Sequence, residues 1–199
     1  GPTRKFRLPT PGNMGYSFGW VGRIGAAIIL FWAVVALVGS WITPYPVGEI
    51  VDWDYFSGVS AAHWMGTDYL GRDIFSRVLM GARYTVGIAL ASVTLACSAG
   101  VILGMIAAVI GGWFDTLLSR LLDAFNGIPS LLFGLVVVAA VGSSIPVLIL
   151  TLAAIYMPGS YRFARALAVN INTMDFVTVA RARGEGTPYM IAREIFPNI

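Results

Sequence analysis

Reactive side chains at workable spacings are scarce in this sequence. His63 is the only histidine and Cys97 the only cysteine. A lone histidine in a polar stretch, with no acid or thiol cluster at ligand spacing, reads as a surface or hydrogen-bonded residue, and no metal site is expected. Cys97 lies inside an apolar run, so an internal disulfide is excluded and a small packing residue is expected. No serine or cysteine stands beside a histidine base in the apolar runs, no glycine-rich loop ends in Gly-Lys-Ser/Thr, and no paired histidines could hold haem. No catalytic residue and no bound cofactor are therefore expected.

The charges that remain can cap, pair and dock. Asp123 is the one acid within reach of an apolar span; one turn from Arg120, it reads as a pairing or register residue ahead of a path-lining one. Asp73 and Arg77 are four apart and can pair on a helix face, worth about 0.3 to 0.5 kcal/mol if exposed. The densest polar stretch is Asp175 to Asn198, DFVTVARARGEGTPYMIAREIFPN. Asn172 and Asp175 are spaced as an N-cap and an N3 acceptor, Arg181 and Arg183 suit a helix C-terminus, and Gly184 suits a left-handed cap. Thr187 then caps a second helix with Pro188 at its first position. Two short helices hinged at Gly184 are the expected result.

Composition decides what carries this elbow. Of 199 residues, 57% are hydrophobic and 12% charged, against about 25% charged in soluble domains. Mean hydropathy is +0.78, and the chain reads as an integral membrane protein. The net charge of +3 is not a nucleic-acid signal, because the cations flank apolar runs and form no basic patch interleaved with aromatics.

Residues 1–23 read as a basic tail with Arg4, Lys5, Arg7 and Arg23 and no acid. Residues 24–42 form a first transmembrane helix, long enough with its flanks to cross about 30 Å of hydrocarbon, with Trp20 and Trp41 at its two interfaces. Residues 43–83 form a polar loop with a short helix from Ile74 to Arg83. Trp53, Tyr55, Phe56, Trp64 and Tyr69 in it can lie on the membrane surface or cover a partner. Tyr84 to Phe114 contains no charge and is a second span, whose Gly100 and Gly104 permit close helix approach. Asp115 to Arg120 is expected to form a tight return. A third helix runs from about Thr116 to Val141 and is kinked at Pro129, and a fourth runs from Pro146 to about Arg162.

Three segments carry a resemblance. Ala180, Gly184 and Pro197 are spaced as in the cytoplasmic coupling loop of bacterial ABC-importer permeases, with Thr178, Val179 and Ala180 where that family has Glu-Ala-Ala. The stretch HWMGTDYLGRDIFSRVLMGARYTVG, through Gly66-Thr67-Asp68, Leu70-Gly71-Arg72-Asp73, Ser76-Arg77 and Gly81-Ala82-Arg83, resembles the C-type subunit of dipeptide, oligopeptide and nickel importers. Asp123 and Ile128 to Leu132 are similar to that family's third-helix region.

The resemblance implies an all-α polytopic bundle in the bacterial inner membrane, with four spans here and two more expected beyond Ile199. Residues 84–199 would be part of the permease domain, and 172–198 its coupling loop. Asp175, Thr178, Val179, Ala180, Arg181, Gly184, Thr187, Pro188 and Pro197 would be the coupling residues, with Asp123 and Pro129 as structural or path-lining ones. It implies as partners a homologous second permease, two cytoplasmic ATPases that bind the ATP, and an extracytoplasmic solute-binding protein. With the N-terminus inside, Arg4, Lys5, Arg7, Arg23, Arg120, Arg162, Arg165, Arg181, Arg183 and Arg193 face the cytoplasm, against Arg72, Arg77 and Arg83 outside, as the positive-inside rule requires. A secondary transporter or channel, which would need intramembrane charges or unwound half-helices, and a non-transporting scaffold are the rival classes.

Overall fold

A computed structural model describes residues 19–53 and 55–198. Most of the basic tail, including Arg4, Lys5 and Arg7, lies outside the described residues. The chain divides into two compact units, Gly1–Arg83 and Tyr84–Ile199.

In the first unit α1 spans Trp20–Ile42 and buries only Ala36 and Gly39 against protein. A Cβ on Gly39 would stand 2.9 Å from the Leu79 carbonyl oxygen. Its absence lets α1 touch the start of α2 (Ile74–Ile110), where Arg83 also donates to Ser40 Oγ at 3.2 Å. The short helix expected over residues 74–83 is the first part of α2, which runs on without a break. Gly81 does not interrupt it, because nothing nearby competes for its backbone and the i to i−4 ladder continues.

The loop between α1 and α2 is folded around Asp68. Its Oδ1 accepts the Leu70 and Arg72 backbone N–H at 2.8 and 3.0 Å. Its Oδ2 accepts Arg72 Nε at 2.9 Å and pairs with Arg77. Arg77 therefore pairs with Asp68 and not with Asp73, whose oxygens are already taken. Asp73 Oδ2 caps α2 through the Ser76 N–H at 2.7 Å, and Oδ1 takes His63 Nδ1 at 3.0 Å. His63 is thus buried and hydrogen-bonded. Gly71 turns the chain at φ +68, and a Cβ there would fall 2.0 Å from the Asp52 carbonyl oxygen. Val51 and Asp52 both donate to the Gly71 carbonyl, Phe56 donates to that of Asp68, and Thr67 to that of Ser57. Segments 51–57 and 67–71 therefore lie side by side, while Trp53, Tyr55, Phe56, Trp64 and Tyr69 face outward.

In the second unit α2 ends at Gly111, whose φ of +63 turns the chain into α3 (Gly112–Asn126). No tight return occurs over Asp115 to Arg120; those residues are helical because Asp115, in the first turn, favours the positive helix end. The expected single helix through Pro129 is two, α3 and α4 (Ser130–Val141), meeting at 84°. Pro129 does more than kink. It lacks an N–H and pushes Ile128 out of the helical region, and Gly127 has already closed α3 by donating to Asp123 and Ala124.

The last long helix, α5, spans Ile145–Asn172, ten residues past the expected end at Arg162. Its arginines do not terminate it, since Arg165 is neutralised across the helix pair by Asp115. Among the described residues three helices, α1, α2 and α5, are long and apolar enough to cross a membrane, and α3 with α4 makes a fourth span if the bent pair is counted as one. The fold is all-α and polytopic, with no strands among the described residues and only an isolated bridge between Thr67 and Asp73.

The backbones of α2 and α5 nearly touch. A Cβ on Gly100 would lie 2.8 Å from Met157 O and Tyr161 N, and one on Gly104 2.7 Å from Tyr161 O. Cys97 is exposed, against the packing role expected of it, although Ser160 of α5 reaches its sulfur with Oγ at 3.6 Å.

Gly104→Leu should force the two helices apart at a cost of about 1 to 3 kcal/mol, seen as a lowered Tm in detergent. Gly87→Ala, which meets nothing within 4 Å, should leave the Tm unchanged or raise it slightly, since Ala is the better helix former. In the loop, burial pushes the Asp68 carboxyl up, but Arg72 and the backbone N–H groups of Arg72 and Leu70 outweigh it and hold the pKa at about 2. A depressed folded pKa stabilises above the unfolded value of about 3.9 and loses that contribution as pH falls through the folded one. Amide exchange at Leu70 and Arg72 should accelerate over that window, and Asp68→Asn should abolish the acid step.

Candidate functional site

The elbow after α5 is built from α6 (Asp175–Ala182) and α7 (Thr187–Tyr189), which continues as a π-helical turn over Met190–Ile195 and a 3-10 turn over Phe196–Asn198. Asp175 in the first turn of α6 and Arg181 in the last both complement the helix dipole. Gly184 has φ +82 with open space around its Cβ position. Its N–H donates to Arg181 O at 3.0 Å and that of Glu185 to Ala180 O at 3.4 Å. This is the paired-bond closure that a left-handed glycine completes.

The caps differ from expectation. Met174, extended at ψ 151, precedes α6 with no side-chain cap bond. Asn172 is instead the last residue of α5, and its amide is committed elsewhere: Nδ2 donates to Ala108 O at 3.1 Å and Oδ1 accepts Arg181 Nη2 at 2.9 Å. Likewise Gly186, not Thr187, precedes α7, which shifts Pro188 one place into the first turn, where a missing N–H is still harmless. One residue of offset leaves the elbow intact.

The elbow packs by one face only. Val177, Ala180, Met190 and Ile195 are buried in a cluster with Met105 and Ala108 of α2 and Ala168 and Ile171 of α5. Val177 and Ala180 are three apart and share a helix face. On the other side Asp175, Thr178, Val179, Arg181, Thr187, Pro188 and Pro197 are exposed, as are the apolar Phe176 and Tyr189. Of the expected coupling residues only Ala180 lies on the inner face. The elbow is thus fastened from behind and open in front.

Asp123 and Pro129 stand apart from the elbow. Asp123 is exposed and pairs with Arg162 Nη1 at 3.7 Å, not with Arg120, and an exposed pair of this kind is worth about 0 to 1 kcal/mol. Neither residue lines the apolar cleft of about 410 Å³ whose walls include Leu131, Leu135 and Val138 of α4 and Leu148, Thr151 and Tyr156 of α5.

Sequence reasoning missed a stronger tie. Arg165 forks onto Asp115, with Nη2 2.5 Å from Oδ2 and Nε on Oδ1, and Ser119 Oγ lies 2.9 Å from the hydroxyl of the fully buried Tyr161. Two opposite charges between otherwise apolar helices were the available signal. Their separation by 50 residues hid it.

The family model for the inner membrane component of binding-protein-dependent transport systems matches residues 100–199, from the α2 glycine seam through the elbow. The chain belongs to this family. Among its relatives is a dipeptide transport system permease protein of Alkalihalophilus pseudofirmus, 33% identical over 175 residues, or 88% of this chain and 58% of that one. Glutathione transport system permease proteins of Pectobacterium atrosepticum and Escherichia coli are 31% and 34% identical, covering 85% and 86% of this chain and 56% and 57% of theirs. The chain thus spans somewhat over half the length of these permeases.

Asn172→Ala removes the side-chain bond to Arg181 of α6 and the one that ties the end of α5 to Ala108 of α2. At about 1 kcal/mol per hydrogen bond, amide exchange across α6 should rise by roughly fivefold or more, while the core of α2 keeps its protection.

Proposed function

We propose that this chain is a permease subunit of an ABC importer for peptides or a related small solute, and that its elbow passes the motion of an ATP-hydrolysing partner into the membrane helices. The observation that carries this reading is the one-sided packing of the elbow. Val177, Ala180, Met190 and Ile195 are sunk into α2 and α5, while Phe176, Val179 and Tyr189 stay uncovered at 40%, 49% and 42% exposure. A piece that must be pushed from outside needs a firm inner face and a free outer one. Family membership supports the same reading, and the relatives named for dipeptide and glutathione transport support a peptide substrate class.

In this reading the chain performs no chemistry. ATP is held by two cytoplasmic partner subunits, a homologous second permease closes the path, and an extracytoplasmic binding protein delivers the solute. The subunit sits in the bacterial inner membrane with its N-terminus inside, an orientation supported by the arginine count. Docking of the elbow, followed by closure of the two ATPases, moves it as a rigid body and switches the cavity between its two openings.

Gly184 provides the test. Its positive φ lies in open space, so only backbone conformation resists a side chain there. In the assembled importer Gly184→Val should abolish solute uptake while ATP hydrolysis continues, and Gly184→Asn, which tolerates the left-handed region, should retain most uptake. Normal uptake by the Val variant would show that the turn does not transmit.

A further inference from the structure

The elbow is fastened to α5, and α5 changes partner along its length. Its first half, through Leu148, Thr151, Leu152, Ile155 and Tyr156, shares the apolar cleft with α4. Its second half meets α3 through three polar ties: the Arg165 fork on Asp115, the Tyr161 hydroxyl on Ser119, and Arg162 on Asp123. Asp115, Ser119 and Asp123 recur every four residues and so lie on one face of α3. Leu118 and Leu122 pack beside them against Tyr161 and Met157.

Between the two zones of α5 sits Pro158, fully buried within the helix. Lacking an N–H, it leaves the Ala154 carbonyl without its helical donor, and Gly159 follows it with nothing within 4 Å of its Cβ position. The neighbouring pair of helices is divided too, at Gly127–Pro129, by the 84° break between α3 and α4. Each of the two rods is therefore weakened where it passes from one set of neighbours to the other.

We propose that the second half of α5, the glycine-seamed α2 packed on it, the elbow and α3 move as one rigid body, pivoting at Pro158 and at Gly127–Pro129 against the first half of α5 and α4, and that Asp115 and Arg165 are the positioning residues that hold α3 to this body. The bidentate pair is the tie with the geometry to do so, since a fork between planar charged groups fixes orientation as well as distance. The Arg162–Asp123 pair, exposed on both sides, adds little. This body is what the coupling reading above requires the elbow to move, and the proposal rests on that reading. The cleft then changes shape because Ile88, on the unbroken α2, travels with the body while the α4 and α5 walls end at the pivots.

The test uses the full-length permease with its partner subunits in lipid vesicles, in a Cys97→Ser background, with pairs of spin labels at the exposed positions Leu121, Val136 and Ala182. On trapping the hydrolysed nucleotide with vanadate, the distance from Leu121 on α3 to Ala182 on α6 should stay fixed, while that from Leu121 to Val136 on α4 should shift. Asp115→Asn or Arg165→Gln should broaden the first distance and make it respond to nucleotide, and Asp115→Arg combined with Arg165→Asp should restore it. If the Leu121–Ala182 distance in the unsubstituted pair shifts as much as the Leu121–Val136 distance, or if the single variants leave it sharp, the rigid body is overturned and coupling by the elbow stands. If no distance responds to the trapped nucleotide, the importer reading falls and the rigid body with it.

Discussion

The second unit depends on how closely two backbones can approach. Gly100 and Gly104 bring α2 against α5 at Met157 and Tyr161 with no room for a methyl group. Two helices in lipid gain nothing from hiding apolar side chains from each other, so close van der Waals contact and polar ties must hold them. The seam supplies the contact. Everything else in the unit takes its place from it: Tyr161 is buried against Ala107 and Leu122, Arg165 is aimed at Asp115 one turn further along, and Ala108 presents its carbonyl to Asn172. The elbow then inherits a floor made by both helices.

Patterns local in sequence were legible. The apolar runs marked the spans, Gly184 marked a turn that the structure places at positive φ, and the small-residue pair on α2 marked the seam. Patterns that depend on distant partners were not. Asn172 has the right type and spacing for a cap, but it reaches Ala108, 64 residues away, because that carbonyl lies under the end of α5. Asp73 and Arg77 have ideal helix-pair spacing, yet a carboxylate two turns of loop earlier offered Arg77 a better-shaped site. Pro129 was seen as a disturbance; that it would produce an 84° bend depended on Gly127 having already ended α3.

The loop of the first unit inverts the usual arrangement of a small folded element. Its interior is polar, with Asp68, Asp73, His63, Thr67 and Ser76 buried and hydrogen-bonded, and its aromatics point out. Carboxylates bonded to backbone N–H groups and guanidinium groups are directional and strong, so a short chain segment acquires a defined shape without an oily core. Even Phe56, held at φ 57, keeps an uncomfortable backbone because its N–H is engaged by Asp68 O. A loop of this kind can present large rings to its surroundings without collapsing around them.

The π-helical turn at Met190–Ile195 bears on how the elbow tolerates change in length. Met190 and Ile195 are both buried, five residues apart, a spacing at which an ordinary α-helix would turn one of them away from the core. Widening the turn to i→i+5 bonding brings both onto the inner face. The bulge thus absorbs one extra residue without disturbing the parts on either side. A related chain that lacks a residue here can close the segment as a plain α-helix, keep the same two anchors, and show its outer surface in the same register.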